Sequence, residues 1–125
     1  MWTYDQSTGE LRRDGALVSR GYSGRGRGKN NPALQDVVGT GPIPRGRWRM
    51  MNVYSSGSVG PFTITLWAED GQPDDRHAGT GRSAFRIHGD SIKAPGTASK
   101  GCIILPRAIR EAMWRSGDRL IEVVE

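Results

Sequence analysis

The chain is poor in the residues most often used for redox, metal and acid–base chemistry. It holds one cysteine, Cys102, and two histidines, His77 and His88. A lone cysteine cannot close an intrachain disulfide, which excludes a disulfide-stapled scaffold and leaves a free thiol. The paired, closely spaced ligands of a zinc site are missing too, so neither metal nor cofactor is expected. Apolar runs are short: none nears the ~20 residues of a membrane span. The opening "MWTYDQSTGELRRDG" has no apolar core and no small-residue cleavage site, so a protein made in the cytoplasm without a secretory signal is expected. No internal repeat and no linker divides the sequence, and residues 1–125 are expected to form one domain.

What is present points to a turn-rich, mostly β protein. There are 18 glycines and seven prolines among 125 residues, enough chain to bury roughly two-thirds of its unfolded surface. The net charge of +5 favours anionic partners such as nucleic acid, anionic lipid headgroups or acidic wall polymer. "WTYD" and "ALVSRGYSG" read as strands, with "QSTGE" and "RRDG" as turns; Asp-Gly tolerates the positive φ of a tight hairpin. Residues 24–46 read as a long loop with a helical turn at "PALQDV". "RWRMMNVY" and "FTITLWAE" read as strands, with Phe62, Ile64 and Leu66 facing one way and Thr63 and Thr65 the other. "AFRIHG", "CIIL" and "DRLIEVV" complete the strands. "PRAIREAMWRSG" is the one convincing helix, with Pro106 at its first position and Gly117 as its stop.

Chemistry concentrates in "IHGDSIKAPGTASKGCII". Thirteen residues lie between His88, at the end of one strand, and Cys102, at the start of another. A histidine within reach takes the thiol proton and makes cysteine a nucleophile. Gly89 and Gly101 permit close backbone approach, and the amides of Gly101 and Cys102 are candidates for an oxyanion hole. The alternatives are a buried core thiol in "GCIIL" and, less well supported by spacing, a metal site.

Ordered motifs extend the comparison. "IHGDSIKAPGTASKGCIIL" resembles the signature of the L,D-transpeptidase (YkuD-type) catalytic domain, a His-Gly at a strand end, a loop, then Ser/Thr-His-Gly-Cys and an apolar residue. The matching positions are His88, Gly89, Ser99, Gly101, Cys102 and Ile103. "GPIPRGRW" resembles an upstream motif of the same family. The order "GYSGRGRGKNNP…GPIPRG…IHGDS…GTASKGCIILP" is similar to the compact L,D-transpeptidase-like effectors of the type VI secretion system. Lys100 stands where the family has histidine, Ile104 where arginine often follows, and the loop before Ser99 is shorter.

The resemblance implies a mostly β sandwich or barrel with one C-terminal helix and long loops. It implies acyl transfer on peptidoglycan tetrapeptide stems, as carboxypeptidase, exchange or cross-linking activity. Cys102 would attack the third residue's carbonyl and expel D-alanine. His88 would be the base, Gly89 O would orient the imidazole, and Gly101 and Cys102 amides would hold the oxyanion. Ser99, Lys100, Arg86, Tyr22 and Ser23 would contact substrate. An effector of this kind acts in the periplasm or wall of a target cell, and it implies secretion machinery and an immunity protein as partners. The rival reading is a non-catalytic basic module that grips cell wall or nucleic acid. The basic run "GRGRGK" (residues 24–29) lacks interleaved aromatics for base stacking and reads as a solvated loop. His77 reads as a solvated loop histidine, and the tryptophans as packing residues.

Overall fold

The computed structural model describes residues 1–125. Nine strands form one sheet that does not close: β1 (Trp2–Asp5), β2 (Glu10–Arg13), β3 (Ala16–Arg20), β4 (Tyr22–Ser23), β5 (Gly46–Ser56), β6 (Gly60–Ala68), β7 (Arg86–His88), β8 (Ile103–Ile104) and β9 (Leu120–Val124). Their order is β3-β2-β1-β9-β5-β6-β7-β8-β4. Only the β1–β9 and β7–β8 pairs are parallel. One helix, α1 (Arg107–Arg115), links β8 to β9. The mostly β fold with one C-terminal helix is thus as expected.

The elements follow from local chemistry. The turn after β1 is closed by the Asp5 carboxylate, which accepts from the amides of Ser7 (2.8 Å) and Thr8 (3.1 Å). The β2–β3 hairpin turns on Asp14 (φ 50°) and Gly15 (φ 86°), the two positive φ values that a two-residue primed turn demands. β5 and β6 make a long hairpin whose inward residues, Trp48, Met50, Ile64 and Leu66, are almost fully buried. They belong to one core cluster of 16 residues that runs from Trp2 to Val123. The loop from residue 24 to 46 carries two short 3-10 turns, Gly26–Gly28 and Pro32–Leu34.

Three local expectations need correction. "ELRR" is strand β2, not part of a turn: Leu11 is fully buried while its charged neighbours stay at least partly exposed, and pairing on both sides holds it. Phe62 does not share a face with Ile64 and Leu66. Its φ is 51° and the register slips nearby, so clean alternation begins only at Ile64. Pro106 caps α1 from outside, with an extended backbone (ψ 152°), and the helix starts at Arg107. Gly117, at φ 77°, ends it as expected. No helix is long and apolar enough to cross a membrane.

Candidate active site

The parallel pairing of β7 with β8 sets the site. Ile87 pairs with Ile103 and His88 with Ile104. Ile87 and Ile103 point into the core and are fully buried. Strand alternation then sends Arg86, His88 and the side chain of Cys102, one residue ahead of β8, to the opposite face. All three line one cleft of about 540 Å³, together with Arg82, Phe85, Lys100 and Gly101. The rim comes from Val38 and Gly39 in the long loop and from Ser58 and Val59 at the β5–β6 turn. Arg82, Arg86 and Lys100 give the lining three cations, and no carboxylate lines it. Such a cleft attracts an anionic ligand.

His88 is 5% exposed. Its Nδ1 lies 2.9 Å from Gly89 O. A carbonyl only accepts, so Nδ1 carries the proton and Nε2 keeps its lone pair. Burial pushes the imidazole pKa below its ordinary value; the Gly89 bond opposes this, while the Arg110 and Arg86 charges add to it. The ring is therefore held neutral and able to accept a proton near neutral pH.

Cys102 is half-buried and free. Its Sγ approaches Ala84 O at 3.9 Å, so in this rotamer the thiol turns toward that carbonyl rather than toward the imidazole. Ala84 itself holds φ 65°, a strained value for a residue with a Cβ. Burial pushes the thiol pKa up, and hydrogen bonds and charge from Arg86, with charge from Arg82, pull it back.

The backbone around Cys102 is clamped by two buried serines. Ser99 Oγ donates to Cys102 O (2.6 Å) and accepts from Gly101 N (3.0 Å) and Gly24 N (2.9 Å). Ser23 Oγ donates to Gly101 O (2.7 Å) and accepts from Ile43 N (2.8 Å). Both serines are fully buried. Gly101 is obligatory: its φ is 147°, and a Cβ there would sit 2.6 Å from Arg82 Nη2 and 2.9 Å from Phe85 Cε1.

Several expected contacts are therefore reassigned. Ser99 and Ser23 do not line the cleft; their hydroxyls are used up in holding loop backbone. Tyr22 does not line it either. Its hydroxyl donates to Asp90 Oδ1 (2.6 Å) and accepts from Ala98 N (2.9 Å), fastening both ends of the loop between β7 and β8. The Gly101 amide is engaged by Ser99, which leaves the Cys102 amide as the oxyanion donor of the expected pair. Arg86 and Lys100 do line the cleft, beside His88 and Cys102. His77 is not a solvated loop residue: it stacks on Trp48 with centroids 5.6 Å apart. Its Nδ1 accepts from Thr80 N (3.1 Å), so Nε2–H donates to Arg45 O (3.1 Å).

Two arginines were not anticipated. Arg82 and Arg110 are 5% and 4% exposed. Arg110 donates to the carbonyls of Leu105, Pro61 and Phe62 and abuts Gly89, where a Cβ would lie 2.8 Å from Nη2. Nothing in "GTGRS" or "AIREA" marks either as buried, because most of their partners lie 40 or more residues away.

A family model, the Tlde1 domain, matches residues 18–122, a span that contains every residue lining the cleft. No curated protein matches the chain.

Proposed function

The chain belongs to the Tlde1 domain family, and from that premise we propose that its cleft performs cysteine-dependent acyl transfer on peptidoglycan stem peptides. Tlde1 domains are type VI secretion effector domains. In this reading the protein is delivered to a rival bacterium, acts in its periplasm, and has an immunity protein in the producer. Residues 1–125 form one catalytic domain.

The observation that carries the reading is the placement of Cys102 and His88 on one face of paired strands, in one cationic cleft, with the imidazole oriented by Gly89 O. Cys102 Sγ attacks the carbonyl between the third residue and the terminal D-alanine, and its proton passes to His88 Nε2. The Cys102 amide stabilises the oxyanion. As the C–N bond breaks, the imidazolium returns the proton to the leaving amine, and a thioester remains on Cys102. Water, a D-amino acid or the amine of another stem attacks the thioester, gives its proton to His88, and restores the thiol. Arg86 and Lys100 face the carboxylates of the stem. A non-catalytic wall- or nucleic-acid-binding module needs no imidazole held in one tautomer in the same cleft as the thiol.

Mass spectrometry of muropeptides tests the reaction. Tetrapeptide stems incubated with the protein lose one alanine, or exchange it for an added D-amino acid, and Cys102→Ala leaves them intact. Unchanged stems with the active protein and D-amino acid present would sink the reading.

A further inference from the structure

Arg82 carries a charge that no ion pair in the folded chain meets. The residue is 5% exposed, and its guanidinium donates to four neutral carbonyls: Gln35 O (2.6 Å), Pro42 O (2.8 Å), Gly41 O (3.1 Å) and Lys100 O (3.2 Å). Its plane lies against Phe85, 4.9 Å from the ring centroid. None of the ion pairs in the protein includes it. Hydrogen bonds to carbonyls satisfy the donors but not the charge, and a buried cation with no ion-pair partner is costly to hold.

The place of this charge is specific. Arg82 lines the cleft with Cys102. Its bond to Lys100 O and its close fit over Gly101 bring Nη2 against the peptide that precedes the thiol. Facing Cys102 are Arg86 and His88 from β7, Lys100 from the preceding loop, and Arg82. All are basic. Asp36 exerts a field on Arg82, and so does Cys102.

We propose that Arg82 is the positioning residue whose buried charge stabilises the Cys102 thiolate, while its four hydrogen bonds lock residues 35–42 to the nucleophile's loop. The anion that forms on Sγ as the proton leaves is the counter-ion that Arg82 lacks at rest. Arg86, half-buried on β7 and lining the same cleft, acts on the same anion, so two guanidiniums support the thiolate. The inference rests on Cys102 being the nucleophile; it does not rest on the identity of the acyl donor.

The test reads the thiolate directly. The rate of Cys102 alkylation by iodoacetamide is followed from pH 6 to 10 in the wild-type protein, Arg82→Lys and Arg82→Gln. Arg82→Gln is expected to move the midpoint of the profile upward and slow alkylation at pH 8 about tenfold, a loss of one pKa unit's worth of anion stabilisation. Arg82→Lys, which keeps the charge and loses the fork, is expected to remain within about threefold of wild type even where its melting temperature falls. Equal midpoints for wild type and Arg82→Gln, or equal damage in both variants, would overturn the proposal. A second comparison leaves Arg82 in place and guards against poor folding of its variants. Cys102→Asp is expected to melt no lower than Cys102→Asn at pH 7, because its carboxylate meets the waiting charge. A much lower melting temperature for Cys102→Asp would overturn the proposal as well. Alkylation does not require peptidoglycan, so failure here and failure of the stem-peptide reaction are separate results.

Discussion

Ser99→Ala separates a substrate contact from a structural clamp. The hydroxyl makes three hydrogen bonds, at 2.6, 2.9 and 3.0 Å, all to backbone groups and all at a fully buried residue. Each bond contributes about 1 kcal/mol net, and a buried donor left without a partner costs about 1–3 kcal/mol. The Gly24 amide bonded to the hydroxyl is buried, and so is the Gly101 amide. A loss of about 3 kcal/mol is therefore expected, with part of the larger sum recovered by relaxation. For 125 residues the unfolding entropy is about 0.26 kcal/mol/K near the midpoint, from ~2.1 cal/mol/K per residue. The melting temperature should fall by roughly 10 °C, read by circular dichroism at pH 7. Catalytically, kcat should fall while KM stays within about twofold, because the variant loosens the Cys102 peptide and leaves the lining of the cleft in place. Ser23→Ala removes two bonds, one to Gly101 O in the same loop and one from Ile43 N, and should show a smaller drop. A melting temperature within 2 °C of wild type, with a tenfold rise in KM, would refute the clamp and return Ser99 to the substrate.

Further predictions follow from the imidazole and its supports. The His88 pKa lies below its ordinary 6.5, first through burial. The base works when neutral, so the acid limb of kcat/KM should have its midpoint below about 6.5 and activity should persist at mildly acidic pH. The same depression affects stability: the unfolded chain takes up the His88 proton before the folded one does. The His88 contribution is therefore full above about pH 6.5 and is lost as pH falls toward the folded value, which the pH dependence of the melting temperature, compared with His88→Gln, will show. Gly89→Ala should lose about 1–3 kcal/mol and most activity, because its Cβ would lie 2.8 Å from Arg110 Nη2 and displace the carbonyl that orients the ring. Ile103→Ala empties a fully buried site beneath the cleft and should cost about 2–5 kcal/mol in chemical denaturation.

His88 and Cys102 were readable because a histidine followed by glycine at a strand end, and a glycine-cysteine-apolar run, are local patterns. So were α1, which presents Ile109 and Met113 on one face, and the Asp-Gly hairpin. Leu11 is a lone apolar residue among charges, so β2 declared itself only through pairing on both sides. Tyr22, Ser23 and Ser99 were assigned to substrate on the family resemblance, which places them near the nucleophile. Most of their hydroxyl bonds instead close across 68 to 78 residues of sequence, as from Tyr22 to Asp90, Ser23 to Gly101 and Gly24 to Ser99. Arg82 and His77 sit in a segment whose composition reads as a polar loop. Their surroundings, four distant carbonyls for one and the Trp48 ring for the other, exist only in the folded chain.

The most direct test of the central claim is intact-protein mass spectrometry after rapid mixing with a purified tetrapeptide stem. The account predicts a transient adduct of the stem lacking its terminal alanine, carried as a hydroxylamine-labile thioester that maps to Cys102 and is absent from Cys102→Ala. Turnover of the stem with the adduct on another residue, or with turnover undiminished in Cys102→Ala, would contradict it.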